Sequence, residues 1–314
     1  MLLATRSSLA LQLSVFSCFL FAAAEAKAAS QTAPLPAVVA VNREIGLSVT
    51  GNFSELTRSI GHNYSERPAG LTPVNFFGYD AFRSDRTHSN GWVPGFRADA
   101  QYMFDTSVLK HLYVATSFNL GDGDVYYGSR TRVNIAPVNG TPFTNRGRYD
   151  GQENRSTINV TGEIGKGFLL LHDRLLVMPT AQGGYVAGGY ESFTSYGKGF
   201  VGMALHVDYA ITDRLVIRGR GGWAQILDSH GYFTDYNANL RHASRPEWSG
   251  DIGLDYRVTQ RIHITGGVRY TYFNYGRAKG SVVYTSHPVS EIITGRACSW
   301  RNSVQLRLGV AYQL

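Results

Sequence analysis

From Val304 to Leu314, apolar and polar residues alternate without a break. Val304, Leu306, Leu308, Val310, Tyr312 and Leu314 share one face of an extended chain, and Gln305, Arg307, Gly309, Ala311 and Gln313 share the other. A period of two held over about ten residues is the length that a tilted strand needs to cross a bilayer. The apolar face carries no charge, while Arg307 lies opposite. The pattern recurs along the chain, so the sequence predicts an all-β protein: a transmembrane antiparallel β-barrel of about ten strands.

The first strand is expected over Ile45 to Phe53, with Ile45, Leu47, Val49 and Phe53 outward. The second, Phe96 to Phe104, sets Phe96, Ala98, Ala100 and Tyr102 outward against Arg97, Asp99 and Gln101 inward. The third presents Leu112, Val114, Phe118 and Leu120. The fourth and fifth are marked by Ile158, Val160 and Ile164, then Val177, Ala181 and Tyr185. The sixth shows Val201 to Tyr209 to lipid, with His206 and Asp208 inside. The seventh, eighth and ninth carry Ile217, Ile252 and Ile264 outward, with Arg218, Arg220, Asp251, Asp255, Arg257, His263 and Arg269 inward.

Turn signals separate these strands unevenly. Asp105–Lys110, Leu170–Arg174, Ile211–Arg214 and Thr259–Arg261 are short, whereas most other connections are long. Short periplasmic turns and long extracellular loops are the mark of an outer-membrane barrel. Segments such as Val125–Val133 and Ser281–Thr285 read either as strand extensions beyond the membrane or as an extra hairpin.

Residues 1–28 have the order of a cleaved secretory signal: Arg6, an apolar stretch from Leu9 to Ala24, then small residues at Ala24-Glu25-Ala26 and Ala26-Lys27-Ala28. Residues 29–43 are then a periplasmic spacer, and 44–314 the barrel domain. Of the two cysteines, Cys18 falls in the signal and leaves Cys298 without an intrachain partner. A closed barrel needs no disulfide, because its strands are hydrogen-bonded on both sides.

The inward faces carry Arg97, Arg218, Arg220, Arg257, Arg269 and Arg307 against Asp99, Glu163, Asp208, Asp251 and Asp255. The two signs nearly cancel, which predicts an ion-paired plug rather than a selective pore with one-sided charge. No GxxxxGK[ST], HExxH or CxxC occurs, so no cofactor and no metal are expected. The formal charge of +7 is spread over many arginines without a basic helix, which disfavours nucleic acid. Outer-membrane lipid is the expected partner. Arginines in the outer segments (Arg58, Arg67, Arg83, Arg86, Arg130, Arg132, Arg146, Arg148, Arg241, Arg245, Arg277 and Arg296) suit lipopolysaccharide phosphates as well as a plain solvated surface. A monomer is expected.

Two resemblances extend this reading. Gly95–Tyr102 and Ile252–Arg257 resemble generic proteobacterial outer-membrane barrel domains, and the last strand is similar to the signal read by the outer-membrane assembly machinery, although it ends in Leu314 rather than an aromatic. The ten-strand order also resembles omptin-type barrels, which are outer-membrane proteases. In that resemblance Asp122-Gly123-Asp124 and Asp228-Ser229-His230 fall in the matching outer segments. It implies Asp228 and His230 as a base pair, with Asp122 and Asp124 positioning a water. Gly121–Asp124 equally reads as an ordinary turn. Three functions stay open on sequence: a non-enzymatic structural or surface-binding barrel, a narrow solute pore, and an omptin-like endopeptidase.

Overall fold

The computed structural model describes residues 35–68, 79–137, 141–190, 194–233, 238–241, 245–286 and 289–314, with backbone alone at several strand tips, including 62–68, 79–81, 228–233, 275–286 and 289–299. The signal expected over 1–28 lies outside the described residues. The strands are β1 (Glu44–Pro68), β2 (Tyr79–Met103), β3 (Leu112–Pro137), β4 (Phe143–Lys166), β5 (Phe168–Leu170), β6 (Leu175–Tyr190), β7 (Thr194–Ala210), β8 (Leu215–Phe233), β9 (Ala238–Arg241), β10 (Pro246–Arg257), β11 (Ile262–Ser286) and β12 (Val289–Gln313).

Ten of them close a ring in the order β1–β2–β3–β4–β6–β7–β8–β10–β11–β12, each antiparallel to its neighbours. β12 returns to β1, pairing Gln313 with Glu44, and β8 meets β10 through Arg220 and Asp251. β5 prolongs β4 along β6, and β9 lies on the tip of β8. The short connections fall where the sequence places them. Closure pairs the strands around the belt and so satisfies their backbone in lipid, whereas above it the β4–β6 pairing stops at Arg155 and the β10–β11 pairing at Phe273.

Alternation sorts the side chains. Val49, Met203, Ile252 and Leu308 are 62–69% exposed on the outside. An apolar surface this extensive cannot face water stably and instead fits hydrocarbon. Tyr256, Tyr209 and Tyr312 bound the belt near the short turns, and Trp92, Trp248 and Tyr272 bound it at the other end. From Tyr256 to Trp248 is about 26 Å of strand, or ~20 Å in height at a ~40° tilt.

Beyond the upper aromatics the ring is lopsided. β11, β12, β1, β2, β3 and β4 are neighbours with 24–26 residues each, whereas β6, β7, β8 and β10 have 12–19. Much of what the sequence assigns to outer loops is therefore strand, and Val125–Val133 is an extension of β3 rather than an extra hairpin. Gly121–Asp124 is likewise strand, with Asp122 opposite Ser156 and Asp124 opposite Asn154. Its glycine has a packing role: a Cβ on Gly123 would fall 2.9 Å from Pro94 Cδ.

The end of the segment expected as a spacer is built into the barrel. Pro36 opens a one-turn helix, α1 (Ala37–Ala40), whose first turn closes through Val39 and Ala40 N–H donating to the Pro36 carbonyl at 2.9 Å each. Val38, Val39 and Val41 pack inside the short-turn mouth against Met103, Tyr113, Leu176, Met178, Ala210 and Val216. Each buried valine contributes about 1.5–3 kcal/mol. A second apolar layer, Val186, Phe200, Ala224, Ile226 and Phe273 with Leu56, crosses the lumen towards the tall end.

Candidate functional site

Between those two layers the lumen is polar. Inward positions, along one strand or across the ring, bring acids and bases together as the sequence predicts. Arg97 Nη2 lies 2.6 Å from Asp99 Oδ1, and Arg220 Nη2 lies 2.8 Å from Glu163 Oε1. Arg307 Nη2 donates to Asp251 Oδ1 at 2.7 Å, and Arg218 Nε sits 3.5 Å from Asp208 Oδ1. Arg269 lines the cavity that remains. Arg257 departs from the expectation. Its guanidinium donates to the Asp213 carbonyl at 2.6 Å in the short turn before β8, because it is the last residue of β10. It caps the rim rather than joining the network.

Further residues join the network. Asn42, in the inserted segment, donates to Asp208 Oδ2 at 2.7 Å and accepts from Arg218 at 3.0 Å. Gln101 bridges the Val41 carbonyl and Glu44 Oε1, both at 2.7 Å. His206 Nε2 lies 2.7 Å from Glu163 Oε2, and His263 Nδ1 lies 2.7 Å from Asp255 Oδ1. Nearer the tall end Lys198 contacts Glu247 and lies 3.9 Å above the Phe273 ring. The inward pattern marks the histidines as lumenal. No local signal marks Asn42 and Glu44, which act only because the segment before β1 turns into the mouth.

The cavity holds about 120 Å³ and is lined by Glu44, Glu163, Asp251, Asp255, Arg218, Arg269 and their neighbours. It has room for several waters. With α1 below and the Phe273 layer above, it is a pocket within a filled lumen.

Two of the acids implied by the omptin resemblance, Asp122 and Asp124, are not in that lumen. Asp122 and Asp124 stand on the outer face of β3, in line with Phe118 and Leu120, and both are exposed. Asn154 donates to Asp124 Oδ1 at 3.4 Å. Asp228 and His230 have backbone places on β8, opposite Gly199 and Gly197, and their side chains lie outside the described residues. On the ring β3 and β8 are separated by β4, β6 and β7.

The outer face of the tall wall has its own constellation. Arg86 of β2 stands directly opposite Arg130 of β3, which stands opposite Arg148 of β4. Two residues further out, Arg132 faces Arg146. All five are exposed on one face. Arg148 Nε donates to Asp150 Oδ2 at 2.6 Å, and the Tyr126 hydroxyl donates to Asp150 Oδ1 at 2.6 Å. Those two hydrogen bonds, Tyr126 first, hold the Asp150 carboxyl below the usual carboxylate range. Like charges directly opposite one another destabilise a sheet.

A closed ring with an apolar belt, aromatic borders and a salt-bridged interior defines a transmembrane β-barrel of the bacterial outer-membrane type. No family model matches the chain, and no curated protein matches its sequence. Among solved structures, the outer-membrane protease OmpT of Escherichia coli is similar at 12% identity, with 86% of this chain and 97% of that one covered and a TM-score of 0.47. The transport unit of the autotransporter AIDA-I, also from Escherichia coli, is similar at 10% identity over 86% and 90%, with a TM-score of 0.35. The outer membrane protein OprG of Pseudomonas aeruginosa gives 9% identity over 87% and 97%, with a TM-score of 0.30. At such values these likenesses say nothing of activity.

Proposed function

We propose that this protein is a non-enzymatic, non-conducting barrel of the outer membrane whose tall wall binds phosphate groups of lipopolysaccharide. The short-turn end with α1 then faces the periplasm, and β11 to β4 rise outside the cell. The observation that carries the binding role is the arginine ladder Arg86–Arg130–Arg148, extended by Arg132 and Arg146. Asp150 stands beside it as a counter-charge, bonded to Arg148 and Tyr126. Guanidinium groups at adjacent-strand spacing match a row of phosphates, each of which an arginine can hold bidentately. From Trp92 to Arg86 is about 20 Å of strand, or ~15 Å above the belt after tilt. That height suits phosphates of the sugar core.

The test is binding of lipopolysaccharide to the refolded barrel. An Arg86→Ser/Arg130→Ser variant is expected to bind at least about tenfold more weakly and to lose part of the salt dependence. Chemically dephosphorylated lipopolysaccharide is expected not to compete. Equal binding by variant and wild type would overturn the reading. The filled lumen argues against the pore, and the outward-facing Asp122 and Asp124 give the protease no support.

A further inference from the structure

Glu44, Asp255 and His263 meet in the lumen just above the short turns, and their donor atoms all lie within 4.8 Å of one another. Each residue is at least 95% buried. His263 Nδ1 lies 2.7 Å from Asp255 Oδ1 and 3.6 Å from Glu44 Oε2. Glu44 Oε2 and Asp255 Oδ2 are nevertheless buried with no hydrogen-bond donor. An orphaned carboxylate oxygen in such a place is costly unless something else satisfies it.

Charge points the same way. Glu44, Asp208 and Asp255 are three carboxylates, and the cation in contact with them is Arg218, at 3.2 Å from Glu44 Oε1 and 3.5 Å from Asp208. Carboxylates outnumber the guanidinium that meets them three to one, a setting that suits a bound cation. We infer that Glu44, Asp255 and His263 bind a divalent cation of the zinc class, which fastens the start of β1 to the β10–β11 hairpin.

The donor set favours that class. One imidazole nitrogen with two carboxylate oxygens suits zinc and its neighbours, whereas calcium and magnesium prefer oxygen donors throughout. Donors around tetrahedral zinc stand about 3.3 Å apart, so the 2.7 and 3.6 Å separations change by a few tenths of an ångström and the widest, no more than 4.8 Å, by at most about 1.5 Å. The cavity bordered by Glu44 and Asp255 gives a water room to take the fourth position. Gln101 and Arg218 both hold Glu44 Oε1 and so direct Oε2 to the metal. The sequence hides this site, because residue 44 lies far along the chain from the hairpin that supplies the other two.

The test uses the protein refolded in detergent with excess Zn²⁺ and then washed free of it. Elemental analysis is expected to find about one zinc per chain, and its removal by a chelator to lower the temperature at which the folded band disappears on a gel. Asp255→Asn keeps the side-chain shape and is expected to weaken zinc binding at least about tenfold. Wild-type protein that folds yet retains under a tenth of an equivalent would overturn the inference. So would full retention by folded Asp255→Asn, since the zinc would then sit elsewhere. The elemental analysis of wild type needs no variant to fold.

Discussion

Asp150 is the one acid seen among the contacts of the arginine ladder, and its hydrogen bonds set its behaviour with pH. Tyr126 and Arg148 both donate to it, so its carboxyl in the folded wall titrates below its unfolded value. A depressed pKa means that the contribution is present at neutral pH and disappears as pH falls through the folded value. Carboxyl-resolved NMR should place the Asp150 midpoint below that of an ordinary aspartate, and Tyr126→Phe should move it upward. An unmoved midpoint would show that the hydroxyl does not matter. Inside the barrel, Arg220 joins Glu163 and Gln182 at one-tenth exposure. Arg220→Glu replaces that attraction with repulsion and should cost about 3–5 kcal/mol, read as a lower unfolding temperature of the folded band. At this scale the sequence shows most of the lumenal charges, because inward positions follow from the outward apolar ones. It cannot show which acid meets which base, since that depends on register and on how far each side chain reaches across the ring.

Two elements behave differently from their sequence signatures. The strands were legible where one face meets lipid, as along Val201–Tyr209, since only there do apolar and polar residues contrast. On the upper halves of β2, β3 and β4 the faces are mostly polar, so Asp122–Asp124 and Arg130–Arg132 look like loop, although Arg130–Arg132 pair with both β2 and β4 and Asp122–Asp124 pair with β4. The segment 35–43 was illegible for another reason. A four-residue helix has no periodicity to read, and its burial depends on a mouth that exists only once the ring closes. Val39→Asp would place an unpaired charge among Met103, Leu176 and Met178, and should destabilise the barrel by several kcal/mol. A heat-modifiable gel shift at the wild-type temperature would contradict that packing. In the turn between β5 and β6, Leu171, His172 and Asp173 have φ of 52°, 54° and 65°. Glycine accepts that conformation without strain, so His172→Gly should stabilise the barrel by about 0.5–1 kcal/mol in a urea titration.

For the whole molecule, closure and filling are separate facts. Closure explains how a strand-only chain can sit in lipid, and the ten-fold ring follows from the recurring alternation. Filling comes from three stacked layers: the α1 valines with their apolar collar, the ion-paired middle, and the Phe273 layer. Ten strands enclose little space once side chains occupy it, so no one of these layers needs to be a dedicated gate. The wall from β11 to β4 puts paired strand, rather than loose loops, behind the arginine ladder. Its paired backbone holds Arg86, Arg130 and Arg148 opposite one another, and on the proposed function a bound anion relieves their repulsion. A polyanion should therefore stabilise the wall, and phosphate-bearing glycolipid should raise protection of its amides in hydrogen exchange more than it does for the amides of β6 and β7.

The most direct measurement is ion conductance of the refolded barrel in a planar bilayer, with insertion confirmed independently by protection from protease. With three layers across the lumen, inserted protein should show no steady open-channel current at moderate voltage. A reproducible ohmic step for each inserted barrel would contradict the account, because ions would then be passing where α1 and Phe273 are said to stand.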